Sequence, residues 1–130
     1  MAKALGCYME NETNHLERLF LNWRMLEYAR EGNGGENEEY HEADGHRTAA
    51  QQVLMNTAAC LPAKTYLDLV YKLAIWRWHR RDLENTLDEM SASDAIIYSL
   101  FRDLVEMTGN DAVLTEIDVK TNLLRNPEAV

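Results

Sequence analysis

Cysteine is scarce in this sequence, and the scarcity narrows the class of protein at once. Cys7 and Cys60 are the only two among 130 residues. They are too few for a disulfide framework, so a hydrophobic core must hold the fold, and both are read as free thiols of a cytoplasmic protein. Basic residues are in deficit as well: 13 Lys and Arg stand against 22 Asp and Glu, a formal net charge of −9. Such a surface repels phosphate backbones, which disfavours general nucleic-acid binding and suits a soluble chain. Long apolar runs are missing too. No window approaches the roughly 18 apolar residues of a membrane-spanning helix, so no membrane contact is expected. Ala4-Leu5-Gly6-Cys7 has the outline of a lipoprotein cleavage site, but the residues before the cysteine form no apolar region, and lipidation is not expected.

Signatures of catalysis are absent in the same way. There is no Gly-x-Ser-x-Gly elbow, and neither cysteine sits in an activating motif. Gly32-Asn33-Gly34-Gly35 neither follows a strand nor opens a helix, which removes the context of a phosphate-binding loop. No internal repeat and no hairpin signal is found. No cofactor is predicted.

What is present is a strong helical pattern, clearest between Leu61 and Met90. Pro62 cannot donate a backbone hydrogen bond, so Leu61-Pro62-Ala63-Lys64 turns the chain. Thr65 stands where an N-cap belongs, with Asp68 three residues on to complement the helix dipole. Leu67, Val70, Tyr71, Ala74 and Trp78 recur at helical spacing, and Tyr66, Leu69, Leu73 and Trp76 make a second stripe beside them. A helix apolar on two faces is buried between others, so this is expected to be the central member of a pack. The second stripe keeps phase through Leu83, Leu87 and Met90, which extends the helix over 65–90, with a break near Arg81 as the alternative.

Three further helices are predicted around it. Asn14 with Glu17 opens the first, over 14–31, with Leu16, Leu19, Phe20, Trp23, Leu26 and Tyr28 at helical spacing. Residues 32–46, rich in Gly and Glu, are expected to form a flexible acidic connector. A short second helix over 48–60 offers Ala49, Ala50, Val53, Leu54, Ala58 and Ala59 to a neighbour. Ser91 or Ser93 with Asp94 starts a helix over 93–108, carrying Ile96, Ile97, Leu100, Phe101, Leu104 and Val105, and Gly109-Asn110 stops it. Residues 1–12 read as an N-terminal tail, and 111–130 as either a short docked helix or an extended tail. The expectation is an all-α, single-domain bundle of four main helices, with Trp23, Leu69, Leu73, Trp76, Ile97 and Leu104 in its core.

Two constellations could carry function. Glu12 with His15, and Glu38 with His41, match Glu-x-x-His, the spacing that places a carboxylate and an imidazole on one helix face for a di-metal site. The first pair overlaps a helix start and the second falls in the acidic connector, so exposed loop residues are the plainer reading. Trp76-Arg77-Trp78-His79-Arg80-Arg81 interleaves aromatics and cations as nucleic-acid platforms do. On a helix, though, both tryptophans face apolar neighbours, and Arg77, Arg80 and Arg81 fall on the polar remainder.

Leu61-Pro62-Ala63-Lys64-Thr65, followed by Lys72-Leu73 and later by Asp103-Leu104, resembles a diffuse group of small uncharacterised helical proteins from bacteria and their prophages. The resemblance covers about a third of the chain. It implies a helical domain and a bacterial or phage setting, and supplies no catalytic residues. The functional expectation is a non-catalytic interaction, scaffold or accessory protein, associating with itself or another protein through Tyr66, Tyr71, Trp78 and Tyr98. The alternative is a metal-dependent helical-bundle enzyme.

Overall fold

The computed structural model describes residues 15–32, 38–81 and 89–125, with side chains for those stretches apart from 30–32, 38–41 and 121–125. The protein is all-α. Its helices are α1 (His15–Gly32), α2 (Glu38–Cys60), α3 (Tyr66–Arg80), α4 (Ala92–Thr108) and α5 (Glu116–Arg125), with a 3₁₀ turn at Asp111–Val113. Among the described residues there is no strand, and no helix is long and apolar enough to cross a membrane. The chain divides into two compact units, residues 1–64 and 65–130.

The N-terminal unit is a helical hairpin in which α1 packs on α2. Leu16, Phe20, Trp23 and Glu27, spaced by four, three and four residues, form the buried stripe of α1. From α2 the buried positions are Arg47, Gln51 and Ala58, followed by Leu61 just past the helix end. Gln51 makes this polar contact tolerable, because its Nε2 donates to the Trp23 carbonyl and to Glu27 Oε1, both at 3.2 Å. Arg47 pairs with Asp44 one turn earlier at 3.2 Å.

Two expectations are corrected here. The acidic connector over 32–46 is helical from Glu38, since Glu and Ala are good helix formers and the single Gly45 is tolerated inside the element. The face that α2 buries also differs from the predicted one: Ala49, Ala50, Ala59 and Val53 are exposed, and only Ala58 of that set is fully covered.

In the C-terminal unit α3 packs on α4. Thr65 is extended (φ −142°, ψ 167°) and its hydroxyl accepts from the Asp68 amide at 3.0 Å, the predicted N-cap. Ser91 caps α4 through the Asp94 amide at 3.2 Å. Gly109 closes α4 in the left-handed region (φ 73°), its amide donating to the Val105 carbonyl at 2.8 Å. The chain then turns through 111–113 into α5, so the docked-helix alternative for the C-terminal segment holds over 116–125.

The predicted single helix over 65–90 is shorter. It ends at Arg80, with the Arg81 amide bending back to the Trp78 carbonyl at 3.4 Å, and Ser91 is already an extended cap for the next helix. Residues 82–88, which include Leu83 and Leu87, lie outside the described residues. The first stripe of α3 is buried at Val70, Tyr71, Ala74 and Trp78, joined by Ile75, whereas Leu67 at its start is exposed. The second is only partly covered: Leu73 and Trp76 are half-buried, and Leu69 and Tyr66 are exposed. Of the remaining predicted core, Trp23 and Leu104 are buried and Ile97 is half-buried.

Candidate functional site

Of the four aromatics expected to form an interaction surface, Tyr66 is exposed, at 64%. The other three are corrected to core positions, because the C-terminal unit supplies a partner for each polar tip. Tyr71 accepts a hydrogen bond from Asn110 Nδ2 at 3.0 Å. Trp78 Nε1 donates to the Val113 carbonyl at 2.8 Å, tying α3 to the 3₁₀ turn. Tyr98 donates its hydroxyl proton to Asp118 Oδ1 at 2.6 Å. Buried aromatics with satisfied tips are core residues that fix the relative setting of their helices.

Tyr98 belongs to the most concentrated electrostatic feature of the unit. Arg77 and Asp118 are both 0% exposed. The guanidinium donates through Nη2 to Asp118 Oδ1 at 2.8 Å and through Nε at 3.0 Å to Oδ1 and 3.3 Å to Oδ2. Thr115 and Asp118 complete a reciprocal capping box at the start of α5: the Asp118 amide donates to Thr115 Oγ1, and the Thr115 amide to Asp118 Oδ2, each at 3.1 Å. The Arg77 guanidinium carbon also lies 4.8 Å from the centroid of the Tyr98 ring. Burial, and then the hydrogen bond to Asp118, push the Tyr98 hydroxyl up to about 12, so the phenol stays neutral through the physiological range.

This arrangement is closed to chemistry. Both oxygens of the Asp118 carboxylate are occupied by donors of the protein itself, and the ion pair is sealed from solvent. It positions α5 against α3 and α4. Arg77, expected on the solvated face, is thus the most deeply buried cation described. The neighbouring cations are committed as well: Arg80 pairs with Asp94 at 2.8 Å and Arg81 lies over the Trp78 ring at 4.8 Å. The aromatic-cationic run is therefore a packing element.

The surface tells a different story. On α4, Ile96, Leu100 and Met107 are exposed at 72%, 50% and 65%, and their spacing of four and seven residues places them in one stripe. Tyr98, Phe101, Leu104 and Val105 are buried on the other side of the same helix. Asp103, also exposed, sits inside this stripe, and Glu106 is exposed beside it. A comparable stripe runs along α1, where Leu21, Met25 and Tyr28 are exposed at spacings of four and three, with exposed Arg18 in line. Singly exposed apolar residues need no explanation, whereas stripes in helical register form a surface that a partner helix can pack on.

The metal-ligand candidates fall out differently. Glu12 lies outside the described residues. His15 is the first residue of α1 and is half-buried. Glu38 and His41 are in the first turn of α2, so their backbone spacing is helical, and their side chains are outside the described set. Among the described residues no three His, Cys, Asp or Glu side chains converge.

No match to this chain is found among protein-family models, curated proteins or solved structures. Sequence reasoning missed the α4 stripe because Ile96 and Leu100 fit a buried period as well as Ile97 and Phe101 do, and adjacent apolar pairs on a helix necessarily widen its apolar arc. It missed the Arg77–Asp118 pair because the two residues are 41 positions apart, with no local pattern linking them.

Proposed function

We propose that this protein is a non-catalytic interaction or scaffold protein that works by helix-mediated association, in the first place with a second copy of itself. The observation that carries the reading is the second apolar face of α4: Ile96, Leu100 and Met107 stand in register on solvent while the opposite side of the helix is buried. Exposing three large apolar side chains in one stripe costs solubility, and a helix packed on the stripe lowers that cost. The closed Arg77–Asp118–Tyr98 node supports the same reading, since the most polar interior of the C-terminal unit is spent on rigidity. The free, exposed thiol of Cys60 suits a reducing cytoplasm. A bacterial or prophage setting goes with the resemblance of the Pro62 to Thr65 lead-in.

Light scattering at micromolar concentration tests the reading. A mass of about twice the 15.0 kDa chain is expected, and 15.0 kDa at every concentration would contradict self-association. One observation favours a second reading, a metal-binding bundle: α2 is helical across Glu38 and His41, which gives that pair the required spacing. Elemental analysis of untagged protein separates the two. Near-stoichiometric iron or manganese, lost on changing His41 to alanine, supports the metal reading, and metal that washes away removes it.

A further inference from the structure

The two exposed stripes are complementary in charge as well as in apolar pattern, and that complementarity selects a pairing. The α4 stripe carries an acid, Asp103, with Glu106 beside it. The helix holds one base, Arg102, and that side chain is half-buried with its guanidinium 5.5 Å from the Tyr98 ring centroid. The α1 stripe carries a base in line, Arg18. Pairing α4 with another α4 would bring acids together over an apolar seam with no exposed base on either helix, which is unfavourable for a chain of net charge −9.

We infer that α1 of one copy packs antiparallel on α4 of a second copy, with Arg18 opposite Asp103, Leu21 opposite Leu100 and Met25 opposite Ile96. The inference rests on the self-association reading and specifies its interface. The register follows from spacing alone. Leu21 and Met25 lie three and seven residues after Arg18, while Leu100 and Ile96 lie three and seven before Asp103, so an antiparallel alignment that matches the charges matches both apolar pairs as well. Helical spacings of three and seven keep all six side chains on their respective seams.

Reversing the charges tests the pairing, with the oligomer mass read by sedimentation. Both residues are exposed, so neither change disturbs a core, and an unchanged circular dichroism spectrum checks the fold. Arg18→Asp or Asp103→Arg alone should weaken the dimer on the order of tenfold, by placing like charges opposite each other across the seam. The doubly reversed chain, Arg18→Asp with Asp103→Arg, should regain the wild-type mass profile. If the wild type is a dimer and the single reversals leave it unchanged, the pairing is wrong while self-association stands. A wild type that is monomeric throughout overturns both.

Discussion

At the scale of single residues, Asp118 has the greatest leverage. Its carboxylate neutralises a guanidinium that has no access to water, holds the Tyr98 hydroxyl and caps α5. Removing it leaves Arg77 charged and buried without its counter-ion, so Asp118→Ala should cost about 3–5 kcal/mol in urea unfolding. A loss below about 1 kcal/mol would show that the node contributes little. Tyr98 gives a separate signature in pH. Its hydroxyl holds its proton more tightly when folded, with a pKa raised from 10.0 to about 12. The raised value adds stability that is fully present below pH 10 and is lost as pH rises from 10.0 through about 12. Relative to the wild type, Tyr98→Phe should be less stable at neutral pH and lose less stability across that alkaline window. Parallel profiles for the two proteins would contradict the assignment.

At the scale of elements, legibility followed the locality of the signal. Thr65, Ser91 and Gly109 announced helix ends because a cap is decided within three or four residues, and each behaves as its residue type requires. Gly109→Ala should destabilise the C-terminal unit by about 1 kcal/mol, because alanine is strained at a φ of 73° although nothing lies within 4 Å of the added carbon. Thermal unfolding would register this, and a neutral result would mean that the cap relaxes. The start of α2 was illegible for the opposite reason. Its packing face carries Arg47 and Gln51, and a hydrophobic period cannot reveal an element whose buried positions are polar. Gln51 is accordingly a better test of the hairpin than the alanines around it. Gln51→Leu would strip the donor shared by the Trp23 carbonyl and Glu27, at a cost of about 1–3 kcal/mol, while Ala49→Ser should do little.

At the scale of the whole molecule, the helical class was legible from composition and period, while the division of surface from core was not. The aromatic surplus that suggested an interface at Tyr71, Trp78 and Tyr98 is consumed inside the C-terminal unit by Asn110, Val113 and Asp118, each of which sits beyond the helix that the aromatic belongs to. The surplus apolar surface lies instead on the outward stripes of α1 and α4, where local periodicity gives both sides of a helix equal weight. Self-association requires that those stripes meet between copies. The most direct measurement is the mass of an equimolar mixture of two singly reversed chains, one carrying Arg18→Asp and the other Asp103→Arg. Either α1–α4 contact between unlike chains regains opposite charges: aspartate at position 18 faces arginine at position 103, or the native Arg18 faces the native Asp103. The mixture should sediment at about twice 15.0 kDa at concentrations where each chain alone is monomeric, and a mixture that stays at 15.0 kDa would contradict the account.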